Sequence, residues 1–278
     1  MTIHEAAQHT ETMLRHNGIS SPKAEAILIL EGLTQKTAVE QVFAGQQVLS
    51  GAQLERLKSW LGRRIQREPL QHILGYSYFY GLKLKTSPDA LIPRPETEVL
   101  VHRALAYIKQ DNVKHVLDVA TGSGAIAIAI ATEQPSCLVT ASDISAAALA
   151  LARENALLHE LSIDFVQADL LKGLEDSVAE ADLILANLPY LPTSDKGRLS
   201  PEIDHDPEMA LYAGEDGLRL YGRFLRQLLA CAFRGRVMLE LDPRNVEKAW
   251  QMACEGGVAR AEIHQDLALK GRFLDITM

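Results

Sequence analysis

The sequence predicts an α/β fold: a doubly wound sheet of seven strands, preceded by a small all-helical domain and a linking β-hairpin. Three observations predict it. Beyond residue 112, short apolar runs alternate with helical stretches. Before residue 67, apolar positions recur only at helical spacing. Between the two lies an aromatic, glycine-interrupted segment with partial alternation, followed by a proline-studded one. The composition supplies what such a fold needs. Of 278 residues, 47 % are hydrophobic and 23 % charged, enough apolar material for a substantial core and a poor match to disorder or coiled coil.

Taken in chain order, helices are expected over 24–33 and 54–65, with Ser21-Pro22 and Ser50-Gly51 as start signals. A β-hairpin is expected over 72–84, then the segment Pro88 to Pro95, then a helix over 96–109. Strands are expected at 115–120, 138–141, 163–166, 183–186, 236–241, 259–264 and 272–276. Helices are expected at 125–132, 146–158, 217–232 and 245–254. That alternation predicts a parallel sheet with helices on both faces, and such sheets bind ligands beyond the carboxyl ends of their strands. The expected domains are 1–68, helical; 69–95, hairpin and linker; and 96–278, the sheet domain.

Several function classes are disfavoured. Residues 1–10 lack the basic stretch and apolar core of a secretory signal, and the longest apolar run, 125–131, is far short of a membrane span. Cys137, Cys231 and Cys254 show neither disulfide nor metal-ligand spacing, so a reduced cytoplasmic setting with buried, apolar cysteines is expected. The histidines are scattered and suggest no metal site. Residues 1–87 carry 10 Lys+Arg against 7 Asp+Glu, a balance of +3; subtracting from the totals of 28 and 36 leaves 18 against 29, or −11, for residues 88–278. An acidic larger domain argues against a partner that is mostly phosphate backbone.

Asp118-Val119-Ala120-Thr121-Gly122-Ser123-Gly124 sits where the first strand of the sheet turns into its first helix. Glycines there let the backbone pass close to a ligand. Asp143, ending the second strand, suits the hydroxyls of a ribose. The pattern also fits a dinucleotide site, because Gly122, Gly124 and Ala127 match G-x-G-x-x-A with an acid about twenty residues on. A glycine turn without a ligand is the third possibility. Two features favour S-adenosylmethionine. Asp118 stands where a carboxylate meets an amino group but repels a pyrophosphate, and Asp169-Leu170 suits an adenine amino group and ring.

Asn187-Leu188-Pro189-Tyr190 ends the fourth strand. An amide nitrogen is a weak nucleophile, its lone pair delocalised into the carbonyl, so its methylation depends on placement and exclusion of water. The Asn187 oxygen can accept one N–H of a substrate amide and the Leu188 carbonyl the other; both bonds strengthen as positive charge develops on nitrogen. Pro189 stiffens the turn and Tyr190 can stack on the planar amide. No general base is required, because the alkylated amide is acidic. Alone, such a tetrapeptide is a plain turn; at the end of the fourth strand, behind the 118–124 loop, it is the expected catalytic element.

In these residues the chain resembles the HemK/PrmC family, which methylates N5 of the glutamine in the Gly-Gly-Gln motif of class I peptide chain release factors. Three further segments carry the resemblance: Arg67 to Gly75 with Phe79 and Gly81; Leu91-Ile92-Pro93-Arg94-Pro95-Glu96-Thr97-Glu98; and Pro207-Glu208-Met209-Ala210-Leu211 with Gly214-Glu215-Asp216-Gly217-Leu218. The resemblance implies a Rossmann-like methyltransferase sheet and a helical N-terminal domain that grips the release factor. It implies S-adenosylmethionine as cofactor, with S-adenosylhomocysteine as product. The cofactor residues would be Asp118, Ala120, Thr121, Gly122, Ser123, Gly124, Asp143, Asp169, Leu170 and Asn187. Substrate would be met by Asn187, Leu188, Pro189, Tyr190 and Arg94, the first four being catalytic. A monomer is expected, with no stable nucleic-acid or membrane binding.

Two positions depart from the family pattern. Leu188 stands where the family usually has Pro, which predicts a slightly looser pocket without loss of activity, and Ala120 stands for Gly, where a methyl group crowds the cofactor. Arg63, Arg64 and Arg67 form a basic edge, either a solvated helix face or a docking edge for an acidic partner. Two rival functions share the loop and tetrapeptide: a nucleic-acid base methyltransferase acting on adenine N6 or guanine N2, and a cofactor-binding module without catalysis. The acidic sheet domain and the Arg94 segment speak against the first, and the intact Asn187, Pro189 and Tyr190 against the second.

Overall fold

A computed structural model describes every residue but Ala232. Backbone contacts divide the chain into two units: residues 1–75 with 201–205, and residues 76–200 with 206–278.

The first unit holds α1 (Ile3–His16), α2 (Pro22–Thr34), α3 (Ala38–Phe43), α4 (Gly51–Ile65) and α5 (Leu70–Leu74). Thr2 with Glu5, Thr37 with Glu40 and Ser50 with Gln53 form reciprocal capping boxes that satisfy the first free amides of α1, α3 and α4. Ile3, Leu14, Ile29, Leu30, Leu57 and Leu61 make the core between the helices. The start of the expected hairpin is helical instead. α5 takes Leu70 and Ile73 into the interior and stops at Gly75, whose φ of 77° a residue with a side chain rarely adopts.

The basic edge is corrected by the structure. Arg64 has a side chain only 5 % exposed, pairing with Glu25 at 2.7 Å and Glu202 at 2.9 Å. Arg67 reaches Glu202 at 3.3 Å and donates to the carbonyls of Asn17 and Gly18, while Arg63 pairs with Glu68. These acids lie far along the chain from Arg64, so spacing on one helix could not reveal them. Arg64 is thus an internal tie and not part of a solvated face, Arg67 is half-buried, and Arg63 stays on the surface with a neighbouring partner.

The second unit opens with the hairpin β1 (Tyr76–Phe79) and β2 (Leu82–Lys85), then α6 (Pro95–Asp111). The sheet follows as β3 (His115–Val119), α7 (Ala125–Glu133), β4 (Leu138–Asp143), α8 (Ala146–Leu158), β5 (Asp164–Gln167), α9 (Glu175–Glu180) and β6 (Leu183–Asn187). After the short α10 (Glu208–Leu211) come α11 (Arg219–Ala230), β7 (Arg236–Glu240), α12 (Val246–Glu255), β8 (Arg260–Gln265) and β9 (Gly271–Thr277). The helix expected over 217–232 begins later than expected, and its expected last residue, Ala232, lies outside the described residues.

The seven strands lie in the order β5-β4-β3-β6-β7-β9-β8. β5 through β7 are parallel, as expected, but β9 enters between β7 and β8 antiparallel to both. Only residues 266–270 join β8 to β9, too few for the crossover of about a dozen residues that a parallel pair needs. One face of the sheet packs on α6 and α7 through Leu100, Ala104, Ile126 and Ile130. The other packs on α9, α11 and α12 through Val178, Tyr221, Phe224 and Ala249. α7 is buried on every side, which explains its unbroken apolar sequence. Among the cysteines only Cys137 is buried; Cys231 is half-buried and Cys254 exposed. No helix among the described residues is long and apolar enough to cross a membrane.

Replacing Arg64 with Ala leaves two carboxylates without their buried partner, and should lower unfolding free energy by about 3 kcal/mol in urea titration. A loss below about 0.5 kcal/mol would mean an exposed, solvated arginine after all.

Candidate active site

Strand order reverses between β3 and β6, so the connections after these strands diverge to opposite sides and leave a crevice at their carboxyl ends. The cleft of the second unit lies there. It is lined by Ala120, Thr121, Gly122, Ser123, Asp143, Asp169, Leu170, Asn187, Pro189 and Arg94, all expected from sequence. Asp118, Gly124, Leu188 and Tyr190, also expected, do not line it. Phe79, Met209, Tyr212, Arg219 and Arg223 do line it and were not expected.

The loop after β3 is held from three sides. Asp118 is fully buried, and its Oδ2 accepts from the Thr121 hydroxyl at 2.6 Å and the Ala127 amide at 3.2 Å. It thus caps α7, whose N-cap position is Gly124, a residue with no side chain to do so. Gly124 has φ of 84°, and a Cβ there would stand 3.0 Å from Ile128 and 3.1 Å from Ala152. Asp143 accepts from the Gly122 amide at 2.9 Å and the Ser145 amide at 2.9 Å. Asn155, buried and not anticipated, donates to the Ser123 carbonyl at 3.0 Å and bonds both the N–H and C=O of Lys85, tying β2 to the loop.

Two non-glycine residues of the cleft occupy left-handed backbone: Ala120 at φ 59° and Leu170 at φ 58°. The glycine that the family resemblance leads one to expect at the Ala120 position would suit this backbone. The backbone itself, besides any crowding by the methyl group, favours a residue without Cβ there.

The acids differ in environment. Burial pushes the Asp118 carboxyl up to about 7, against the pull of Thr121 and the Ala127 amide; its Oδ1 has no hydrogen-bond partner. Burial also raises Asp143, opposed by the amides of Ser145, Gly122 and Ile144. Asp169 is half-exposed and pairs with Arg223 at 2.5 Å.

At the end of β6, Asn187 donates through Nδ2 to the Thr97 hydroxyl at 3.1 Å. Leu188 turns its side chain into the core, 1 % exposed. The Tyr190 hydroxyl donates to Glu240 Oε1 at 3.4 Å, and burial next to this acid raises the phenol above its ordinary value. Glu240 is 1 % exposed, and burial pushes its carboxyl up to about 7. A lone acid ending an apolar strand was the available signal for Glu240; Thr97 lay unassigned inside the 91–98 segment.

The later signature segment braces this turn. Leu191 donates to the Leu211 carbonyl and Ala213 to that of Leu191, both at 2.9 Å, and Thr193 donates to the Gly214 carbonyl at 2.8 Å. A Cβ on Gly217 would sit 2.1 Å from the Tyr190 carbonyl oxygen, so only glycine fits. Asp206, buried, holds Arg94 at 2.6 Å. Arg94 therefore reaches the cleft already paired. No cluster of three or more His, Cys, Asp or Glu that could hold a metal occurs among the described residues.

A seven-stranded sheet with this order and a cleft at its switch point define a methyltransferase domain. Residues 97–200 match the model of the methyltransferase small domain, and residues 5–75 that of the PrmC N-terminal domain. The catalytic domain of hMettl16, solved with an RNA hairpin, shares the fold at a TM-score of 0.59 and 15 % identity, over 82 % of each chain. The release factor glutamine methyltransferase of Deinococcus radiodurans is 38 % identical over 99 % of this chain and 98 % of its own. That of Coxiella burnetii is 33 % identical over the same shares, and that of Streptomyces coelicolor 39 % over 77 % of each. The chain belongs to the release factor glutamine methyltransferase family.

The buried acids set a pH dependence. Asp118 is protonated in both folded and unfolded chains below its ordinary 3.8; between there and about 7 only the unfolded chain ionises, so stability falls as pH rises, then levels off. Glu240 acts in the same direction. Urea midpoints should fall from pH 5 to pH 8, and Asp118→Asn should flatten part of that slope. An unchanged slope in the variant would show that Asp118 is ionised throughout.

Proposed function

We propose that the chain transfers a methyl group from S-adenosylmethionine to N5 of the glutamine in the Gly-Gly-Gln motif of class I release factors, leaving S-adenosylhomocysteine. One observation carries this reading. Asn187 uses its N–H on Thr97 and lines the cleft, leaving its side-chain oxygen as an acceptor for an amide N–H. Membership of the family supports the same substrate.

The residues present suit this cofactor. Asp143 and Asp169 line the cleft as carboxylate acceptors, and of the arginines beside them Arg94 and Arg223 are already paired, with Asp206 and Asp169. Asp143 would accept from the ribose hydroxyls, and Asp169 with Leu170 would meet the adenine. Asp118, being buried, acts mainly by fixing the loop and α7. When bound, S-adenosylmethionine supplies an electrophilic methyl group on sulfur.

This chain's residues do the rest by placement. Asn187 orients the substrate amide and stabilises the positive charge that grows on its nitrogen, assisted by the Leu188 carbonyl. Pro189 stiffens the turn, Tyr190 anchors it from behind through Glu240, and Arg94, paired with Asp206, stands at the cleft to meet the partner. The helical N-terminal unit is the recognition domain for the release factor. In this reading the chain works as a monomer in the cytoplasm, on a protein and on neither a membrane nor stably bound nucleic acid.

Asn187→Ala should lower turnover on a release factor by about 100-fold or more while S-adenosylmethionine affinity, measured by calorimetry, changes little. Retained turnover would remove Asn187 from the mechanism. Replacing the Gly-Gly-Gln glutamine of the release factor with glutamate should end methyl incorporation; continued incorporation would put the reaction at another residue.

A further inference from the structure

The turn after β5 is held from outside by α11. Arg223 and Gln227 stand one helical turn apart on that helix, so their side chains leave the same face. Arg223 Nη2 donates to Asp169 Oδ2 at 2.5 Å, and Gln227 Oε1 accepts from the Leu171 amide at 2.8 Å. Between the two anchored residues lies Leu170, in left-handed backbone at φ 58°. The Asp169 carbonyl closes the turn by accepting from the Lys172 amide at 3.2 Å. Asp169, Leu170 and Arg223 all line the cleft.

A leucine in left-handed backbone is strained, and it relaxes unless its neighbours hold it. Here one grip takes the carboxylate before Leu170 and the other takes the amide after it. The Asp169–Arg223 pair is half-exposed, so it adds little to folding stability. Its effect is on direction. A free carboxylate turns about its last bond; with Oδ2 tied to a guanidinium on a packed helix, Oδ1 has a set direction. The turn therefore offers a fixed acceptor with a fixed apolar side chain beside it. Adenine has the matching chemistry, an exocyclic N–H at the edge of a flat apolar ring.

We infer that Arg223 and Gln227 are positioning residues for the cofactor's adenine: from α11 they aim the Asp169 carboxylate at the exocyclic amino group and hold Leu170 against the ring. The inference rests on the adenine placement in the function proposed above. A helix that merely packed on the sheet would need only its buried face of Tyr221, Phe224, Leu225 and Leu228.

The test is a binding measurement on the full chain and needs no turnover. S-adenosylhomocysteine, and its analogue with hydrogen in place of the adenine amino group, are each titrated by calorimetry. Wild type should bind the first at least about 10-fold more tightly, as a hydrogen bond to a charged group implies. Arg223→Met should weaken S-adenosylhomocysteine by about 5- to 10-fold and leave the analogue within about twofold of its wild-type Kd, so the preference for the amino group nearly disappears. Its melting temperature should stay within about 2 °C of wild type. Gln227→Met, which frees Leu170 as well, should weaken both ligands, S-adenosylhomocysteine the more. Arg223→Lys keeps a charged donor without the planar fork, and its preference should fall between those of Arg223→Met and wild type. Arg223→Met that keeps the wild-type preference, even with both ligands weakened equally, would overturn the inference. If that variant fails to fold, an unchanged preference in Arg223→Lys would do the same. Wild type that binds the two ligands equally would instead defeat the adenine placement beneath the inference.

Discussion

The parallel pairing of β3 with β6 is the constraint on which the site depends. Register sets Asp118 beside Leu185 and Val119 beside Ala186, so the glycine loop and the Asn187 turn leave the sheet side by side. Because the chain winds one way after β3 and the other way after β6, nothing fills the space between their ends. The fully buried core of α7 and the central strands makes that pairing stiff. A methyl transfer that relies on placement needs such stiffness more than it needs an acid or a base.

Around this frame the polar groups work chiefly by fixing backbone. Asp118 caps α7, Asp143 clamps the Gly122 amide, Asn155 ties β2 to Ser123, and Asp206 anchors the segment that carries Arg94. One of these groups, Asp118, is buried with an oxygen left unpaired, an arrangement that costs stability and is retained where geometry matters. Ala120 and Leu170 add left-handed strain at the same cleft. Backbone strain and rigid turns thus meet within this one crevice.

Much of this was legible in the sequence because its cause is local. Strand and helix alternation, the glycine loop, Asp143 and Asn187 all follow from periodicity and spacing along one stretch of chain. The antiparallel β9 was also legible, since 266–270 is too short for a crossover, but repeated alternation suggested otherwise. What stayed hidden comes from contacts between distant residues. Arg64 looked like part of a charged face until Glu25 and Glu202 closed around it. Asp118 was placed rightly at the loop but faces α7 and not the cleft. Thr97 and Glu240 gain meaning only when α6 and β7 bring them beside β6.

The fold alone is shared with a catalytic domain solved with an RNA hairpin, so it does not choose between an amide and a base as substrate. The balance of −11 over residues 88–278, the Asn187 geometry and family membership all favour the amide. The most direct measurement is to offer the protein labelled S-adenosylmethionine with a full-length class I release factor and with a structured RNA, and to locate the methyl group by mass spectrometry. One methyl on the Gly-Gly-Gln glutamine and none on RNA is the result expected. Methylated RNA beside an untouched release factor would contradict the substrate assignment.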